Sequence, residues 1–169
     1  MVCGLSTGYC TYAGSGTIGA ACTSDPLCAS GQNIAMPWCI VDPSIPGGMC
    51  SDLCTTTVAC ATGGTCVGAS ATSNGVCYKS CTTLGLKTEC GRTDMVCDDF
   101  TFGTGAMKAC VPACTTVNVS SVCGTATNVR CAADGRCCGT PGNVCCTSGT
   151  ACVTSTGGAS TCNGTGYCP

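Results

Sequence analysis

The sequence predicts a small disulfide-rich fold, mainly β and irregular, made of tandem short β-hairpin modules with little helix. Three observations lead there. Cysteine supplies 24 of 169 residues, above the level that marks disulfide scaffolds, and the count is even. Aromatic residues are only 4% of the chain, too few for an ordinary apolar core, so covalent bridges must supply what the core does not. A four-cysteine pattern also returns at module-sized intervals.

Residues 1–49 read as a distinct N-terminal cysteine-rich segment. It holds Cys3, Cys10, Cys22, Cys28 and Cys39, the single Trp38, and Pro26, Pro37, Pro43 and Pro46, which favour rigid loop over sheet. Cys22, Cys28 and Cys39 repeat the intervals of Cys60, Cys66 and Cys77, which marks a partial unit. The N-terminus "MVCGLSTGYC" has no basic and apolar signal region, so any export signal is expected to have been removed or left out.

Residues 50–130 contain three units, each opening Cys-x3-Cys-Thr-Thr: Cys50, Cys54, Cys60, Cys66; then Cys77, Cys81, Cys90, Cys97; then Cys110, Cys114, Cys123, Cys131. Unit starts lie 27 and 33 residues apart, and Cys137 follows Cys110 by another 27. The Cys-x3-Cys step suits either one helical turn, since i and i+4 share a face, or a bend between strands. "DDFTFGTGAMKAC" reads as a hairpin with a lengthened loop. Asn74-Gly75 and Asp134-Gly135 predict two-residue type I′ turns.

Residues 131–169 change rhythm and read as a cross-linked terminal knot with Cys137, Cys138, Cys145, Cys146, Cys152, Cys162 and Cys168. Neighbouring residues of a strand point to opposite faces, so the members of each Cys-Cys pair are expected to bridge to different partners.

The same composition excludes several chemistries. There is no histidine and no Cys-x2-Cys pair, which removes imidazole-based metal sites, haem attachment, the usual zinc and iron–sulfur spacings, and the familiar catalytic triads. No cofactor, metal or enzymatic activity is expected. Charged residues are 8% of the chain and the net charge is −2; Lys79, Lys87, Arg92, Lys108, Arg130 and Arg136 are scattered, so no nucleic-acid surface is expected. No apolar run is long enough for a membrane span. Asp94, Asp98 and Asp99 are the one concentration of carboxylates; they match no standard calcium loop and are read as solvating an exposed turn.

Two sequons, at Asn118 and Asn163, are candidate N-glycan acceptors, and Thr55, Thr82 and Thr115 are candidate O-glycan acceptors or exposed strand formers. The stretches "CTSDPLCASG", "GGMCSDLCTTTVACATGGTCV" and "NGVCYKSC" resemble the tandem cysteine-rich modules of bacterial surface and secreted proteins of the myxobacterial type. The spacing is also similar to EGF-like, Dickkopf-like and granulin-like modules. This resemblance implies shared scaffold cysteines and no shared active site.

The expectation for function is an extracellular or cell-surface structural glycoprotein that self-associates into a filament, fibre or coat, its partners being copies of itself and glycans. A nearly neutral surface lacks the repulsion that keeps copies apart. The competing expectation is a secreted binding module, such as an adhesin, inhibitor or toxin-like ligand. Its contact loops would be "MPWCIVDPSIPGG" and "DDFTFGTG", with Trp38, Phe100 and Phe102.

Overall fold

The computed structural model describes residues 2–3, 10–11, 14–29, 38–99, 107–115, 117–123, 130–132, 134–138, 144–146, 149–153, 159–163 and 167–168. It consists of short antiparallel strands with almost no helix, and nine disulfides are placed among these residues. The chain divides into two compact units, Met1–Ser80 and Cys81–Pro169.

The first unit begins with β1 (Val2–Cys3) paired to β2 (Cys10–Thr11). A 3-10 turn at Asp25–Leu27 follows, with Pro26 in its first turn where a missing N–H costs nothing. The hairpin of β3 (Trp38–Ile40) and β4 (Met49–Ser51) comes next, then a three-stranded sheet of β5 (Leu53–Cys54), β6 (Gly64–Val67) and β7 (Gly75–Lys79) with β7 central.

The second unit has a 3-10 turn at Thr88–Cys90 and a long hairpin of β8 (Met95–Asp99) and β9 (Lys108–Pro112). A single helical turn, α1 (Val119–Val122), precedes the pair β10 (Arg130–Cys131) and β11 (Cys137–Cys138). Four further short strands end it: β12 (Val144–Cys145) pairs with β15 (Tyr167–Cys168), and β13 (Ala151–Val153) with β14 (Ala159–Thr161).

The disulfides turn this succession of hairpins into modules. Cys22–Cys39 and Cys28–Cys50 form one quartet; Cys54–Cys66 and Cys60–Cys77 the next; then Cys81–Cys97 with Cys90–Cys110, and Cys114–Cys131 with Cys123–Cys137. Each quartet joins its first cysteine to its third and its second to its fourth. The third and fourth face each other across a hairpin every time: Cys39↔Cys50, Cys66↔Cys77, Cys97↔Cys110 and Cys131↔Cys137. Facing cysteines nonetheless bond to earlier ones, so each hairpin is pinned to the segment that leads into it.

The bonding moves the phase of the repeat by one cysteine relative to the sequence pattern. A bonded module opens at the Cys of Cys-Thr-Thr, and Cys-x3-Cys is the joint, carrying the last cysteine of one module and the first of the next. That joint is extended in β4 and β5, not helical. The segment from Cys22 to Cys50 is a full quartet of the same plan.

Two turn expectations need correction. Asn74-Gly75 is not the hairpin turn: Gly75 lies inside β7 opposite Cys54, and β6 and β7 close at Val67↔Val76. Gly68 takes the positive φ there, at 80°, and the Ser70 hydroxyl accepts the N–H groups of Thr72 and Ser73, which folds residues 70–73. Gly135 does have a positive φ, 90°, but in a five-residue loop tied by Gly135 N–H to Ala132 O and Ala132 N–H to Arg136 O.

Cysteine is the core. Cys54, Cys77 and Cys97 are fully buried, and among the described residues the larger apolar side chains that are buried are Ile45 and Met49 in the first unit and Met95 and Val96 in the second. A bridge closing a short loop contributes about 2–4 kcal/mol, chiefly by restricting the unfolded chain. Two such bridges per module explain how segments of about thirty residues keep a fixed form at a size where apolar burial alone is marginal.

Candidate functional site

Polar side chains collect at two kinds of place: each Cys-Thr-Thr turn, and the joint between the third and fourth modules. In each turn the hydroxyl of the first threonine is engaged in a hydrogen bond. Thr55 Oγ1 accepts the N–H of Val58 at 2.9 Å and of Thr57 at 3.2 Å, closing the turn after Cys54. Thr82 donates its hydroxyl to Glu89 Oε1 at 3.0 Å, while the N–H groups of Thr82 and Thr83 both point at Glu89 Oε2. Those hydrogen bonds, the Thr82 N–H first, hold the Glu89 carboxyl down at about 2. Thr115 Oγ1 donates to Asn118 Oδ1 at 2.9 Å and accepts the Asn118 N–H at 3.3 Å.

The first threonine is thus engaged in all three turns, each time with a different partner. Its second position faces solvent at Thr56 and Thr83. Thr116 lies outside the described residues. Asn118, a sequon residue, is engaged through its whole amide: Oδ1 accepts from Thr115, and Nδ2 donates to Ala113 O at 3.1 Å. Nδ2 is the atom a glycan would take. Asn163 is exposed.

The carboxylates that stand together in sequence part company. Asp94 is held by Arg92, whose guanidinium donates Nε–H to Oδ1 at 2.9 Å and pairs through Nη2 with Oδ2; this draws the Asp94 carboxyl below its ordinary range. Asp98 and Asp99 are consecutive residues of β8 and point to opposite faces. The exposed-turn reading fails for Asp99, which is buried.

Asp98 instead enters a charged joint. Asp134 and Arg136 form an ion pair at 2.8 Å with each side chain only 8% exposed. Asp134 Oδ1 also accepts the Arg136 N–H at 3.0 Å. The pair is seated against Gly85: a Cβ there would stand 2.5 Å from Asp134 Oδ2. Gly85 has a φ of 79° and donates its N–H to Cys97 O, next to Asp98. Burial pushes the Asp98 carboxyl up to about 6; Asp134 and Asp99 add to the rise, and the Asp99 N–H and Arg136 oppose it. This joint was not legible in the sequence, because Asp98 and Asp134 are 36 residues apart and nothing in the Asp134-Gly135-Arg136 spacing says which strand it will cover.

In the first unit the joint between modules is built from a hydroxyl, backbone groups and the buried carboxylate of Asp52. The Ser51 hydroxyl donates to Cys77 O at 2.7 Å, and Asp52 lends its backbone oxygen to the Cys77 N–H and its Oδ1 to the Leu53 N–H. A cleft of about 90 Å³ opens beside it, lined in part by Ile18, Ser51, Asp52 and Thr62.

Sulfur atoms cluster within the first, second and fourth modules, where two bridges lie side by side. Cys22, Cys28 and Cys50 bring their sulfurs within 4.8 Å of one another, as do Cys54, Cys60 and Cys77 and, in the fourth module, Cys114, Cys123 and Cys131. All are bonded to other cysteines, and among the described residues no cysteine is free to offer a thiolate. Of the loop aromatics proposed for recognition, Trp38 is half-buried in β3, and Phe100 and Phe102 lie outside the described residues.

No protein-family model, no curated protein and no solved structure matches this chain.

Proposed function

We propose that this is an extracellular structural protein whose tandem modules form a subunit of a filament, fibre or surface coat built from copies of the chain. The observation that carries the reading is the repetition of one bonding plan in four successive quartets, three of the joints having the same three-residue spacer. Quasi-one-dimensional proteins gain length by adding such units, each stable through itself and its neighbour. The nine bridges favour an oxidising compartment, and no helix among the described residues is long and apolar enough to cross a membrane. Exposed Ser and Thr with few charges leave little to oppose contact between copies. Glycans on Asn163 or on the exposed second threonines are the covering that would limit it.

Electron microscopy and sedimentation of the oxidised, unboiled protein test this. Concentration-dependent polymers support it; a monodisperse monomer at high concentration overturns it.

The second reading, a secreted binding module, is favoured by two exposed apolar side chains on loops, Val41 at 72% and Val117 at 92%. Val41 lies in one of the loops that the sequence singles out for contact. Saturable capture of one partner by the monomer, lost on Val41→Asp, would support this reading over assembly.

A further inference from the structure

We infer that residues 146–168 are a fifth module of the same bonded plan, with Cys152 bridged to Cys168, and that the spacer before it is closed by a Cys138–Cys145 bridge. This stands apart from the self-association reading.

Three observations carry it. The bridge Cys146–Cys162 is of the first-to-third kind, with a sequence separation of 16 against 12 to 17 in the other modules. The strand register then fixes the fourth position. In the second module the residue before the first cysteine faces the residue before the fourth, Leu53↔Val76. In the C-terminal region Cys145, immediately before Cys146, faces Tyr167, immediately before Cys168. Cys168 thus stands where Cys77 stands. Finally, a glycine lies two residues before the fourth cysteine at Gly48, Gly75 and Gly135, and again at Gly166. The third module departs from this with Lys108, whose Nζ donates to Thr82 O at 2.9 Å.

Cys152 is the one cysteine between Cys146 and Cys162, which makes it the second of the quartet. In all four other modules the second bonds to the fourth. Cys138 is buried and disulfide-bonded. With Cys152 and Cys168 assigned to each other, Cys145 is the cysteine of the same compact unit that remains for it. Eight residues separate Cys137 from Cys146, against three at the Cys50–Cys54, Cys77–Cys81 and Cys110–Cys114 joints. The proposed bridge closes this long spacer into a loop. Each bond forms as two thiols give up two protons and two electrons to an incoming disulfide oxidant, which leaves as two thiols.

Thiol labelling of the full-length Cys152→Ser protein without reductant tests the module. One label per chain, on Cys168, is expected. A label on Cys138 or Cys145 overturns the assignment. Partial reduction and cyanylation of the unaltered protein gives an independent answer should the variant fail to fold: fragments linking Cys152 to Cys168 and Cys138 to Cys145 support the inference, and any other pairing of these four defeats it.

Discussion

Two of the three Cys-x3-Cys joints, one within each compact unit, solve the same geometric problem with different chemistry. At Cys50–Cys54 the connection is made by backbone groups, by the Ser51 hydroxyl donating to Cys77 O, and by the buried Asp52 carboxylate accepting the Leu53 N–H, with no ion pair beside them among the described residues. At Cys110–Cys114 the backbone contributes Ala113 N–H to Asp94 O and Cys114 N–H to Gly135 O, but a shielded ion pair and a third carboxylate are stacked beside them. A neutral hydrogen bond such as that of Ser51 is insensitive to pH and forgiving of small changes. A shielded pair is neither: losing one member leaves a charge with no solvent to take its place.

The largest expected effect breaks a module itself. Replacing Cys54 and Cys66 together by Ser should cost about 2–5 kcal/mol and open the second module to proteolysis. The third and fourth modules should keep their protection in the same digest; their simultaneous loss would show that the modules are not separately stapled. Replacing Cys114 and Cys131 gives the mirror experiment for the second unit.

Next comes the ion pair. Arg136→Ala strands Asp134 and should destabilise the second unit by about 2–4 kcal/mol in denaturant titration. Ser51→Ala at the first joint, where a hydroxyl meets a backbone carbonyl, should cost about 1 kcal/mol. Equal losses at the two joints would erase the distinction drawn between them.

Proton linkage sharpens the same contrast. Asp98 is raised in the folded protein from an ordinary 3.8 to about 6, so the folded state holds that proton more tightly than the unfolded state does. Its contribution is fully present below pH ~4 and is lost as pH rises through about 6. The second unit should therefore be more stable at pH 5 than at pH 8, by about 1 kcal/mol after allowing for partial solvent screening. Asp98→Asn should flatten the profile over that window. Hydrogen exchange of the Cys97 and Arg136 regions against pH reads it locally; an unchanged slope in the variant would sink the assignment.

The smallest effect separates backbone strain from contact. Gly63 and Gly85 both have positive φ, 84° and 79°, so Ala at either costs about 1 kcal/mol from the left-handed conformation alone. Open space surrounds Gly63, whereas a Cβ on Gly85 runs into Asp134. Gly85→Ala should exceed Gly63→Ala in thermal melting by about 1 kcal/mol or more.

Much of the fold class was legible in the sequence because it follows from composition. Cysteine at this density, with so few aromatics, leaves short stapled strands as the available solution, and the β8–β9 hairpin around its Gly-containing loop follows from the lengthened spacing between Cys97 and Cys110. The phase of the repeat was harder. Cys-x3-Cys is the most constant spacing in the chain, and a constant spacing reads as the inside of a unit; the disulfides make it the connection between units instead. Thr55, Thr82 and Thr115 were visible as a motif, but their partners, Val58, Glu89 and Asn118, sit three or seven residues on, with no common spacing to betray them.

The sequence alone determined that this protein is held by disulfides in tandem units, since the number and spacing of cysteines survive any rearrangement of the chain. Tertiary structure decided which sulfur meets which, and that Asp98 lies beside a buried Asp134–Arg136 pair. The reason is register. A shift of one residue in a strand turns every side chain to the other face, and only the packed hairpin selects the face on which a cysteine or a carboxylate stands.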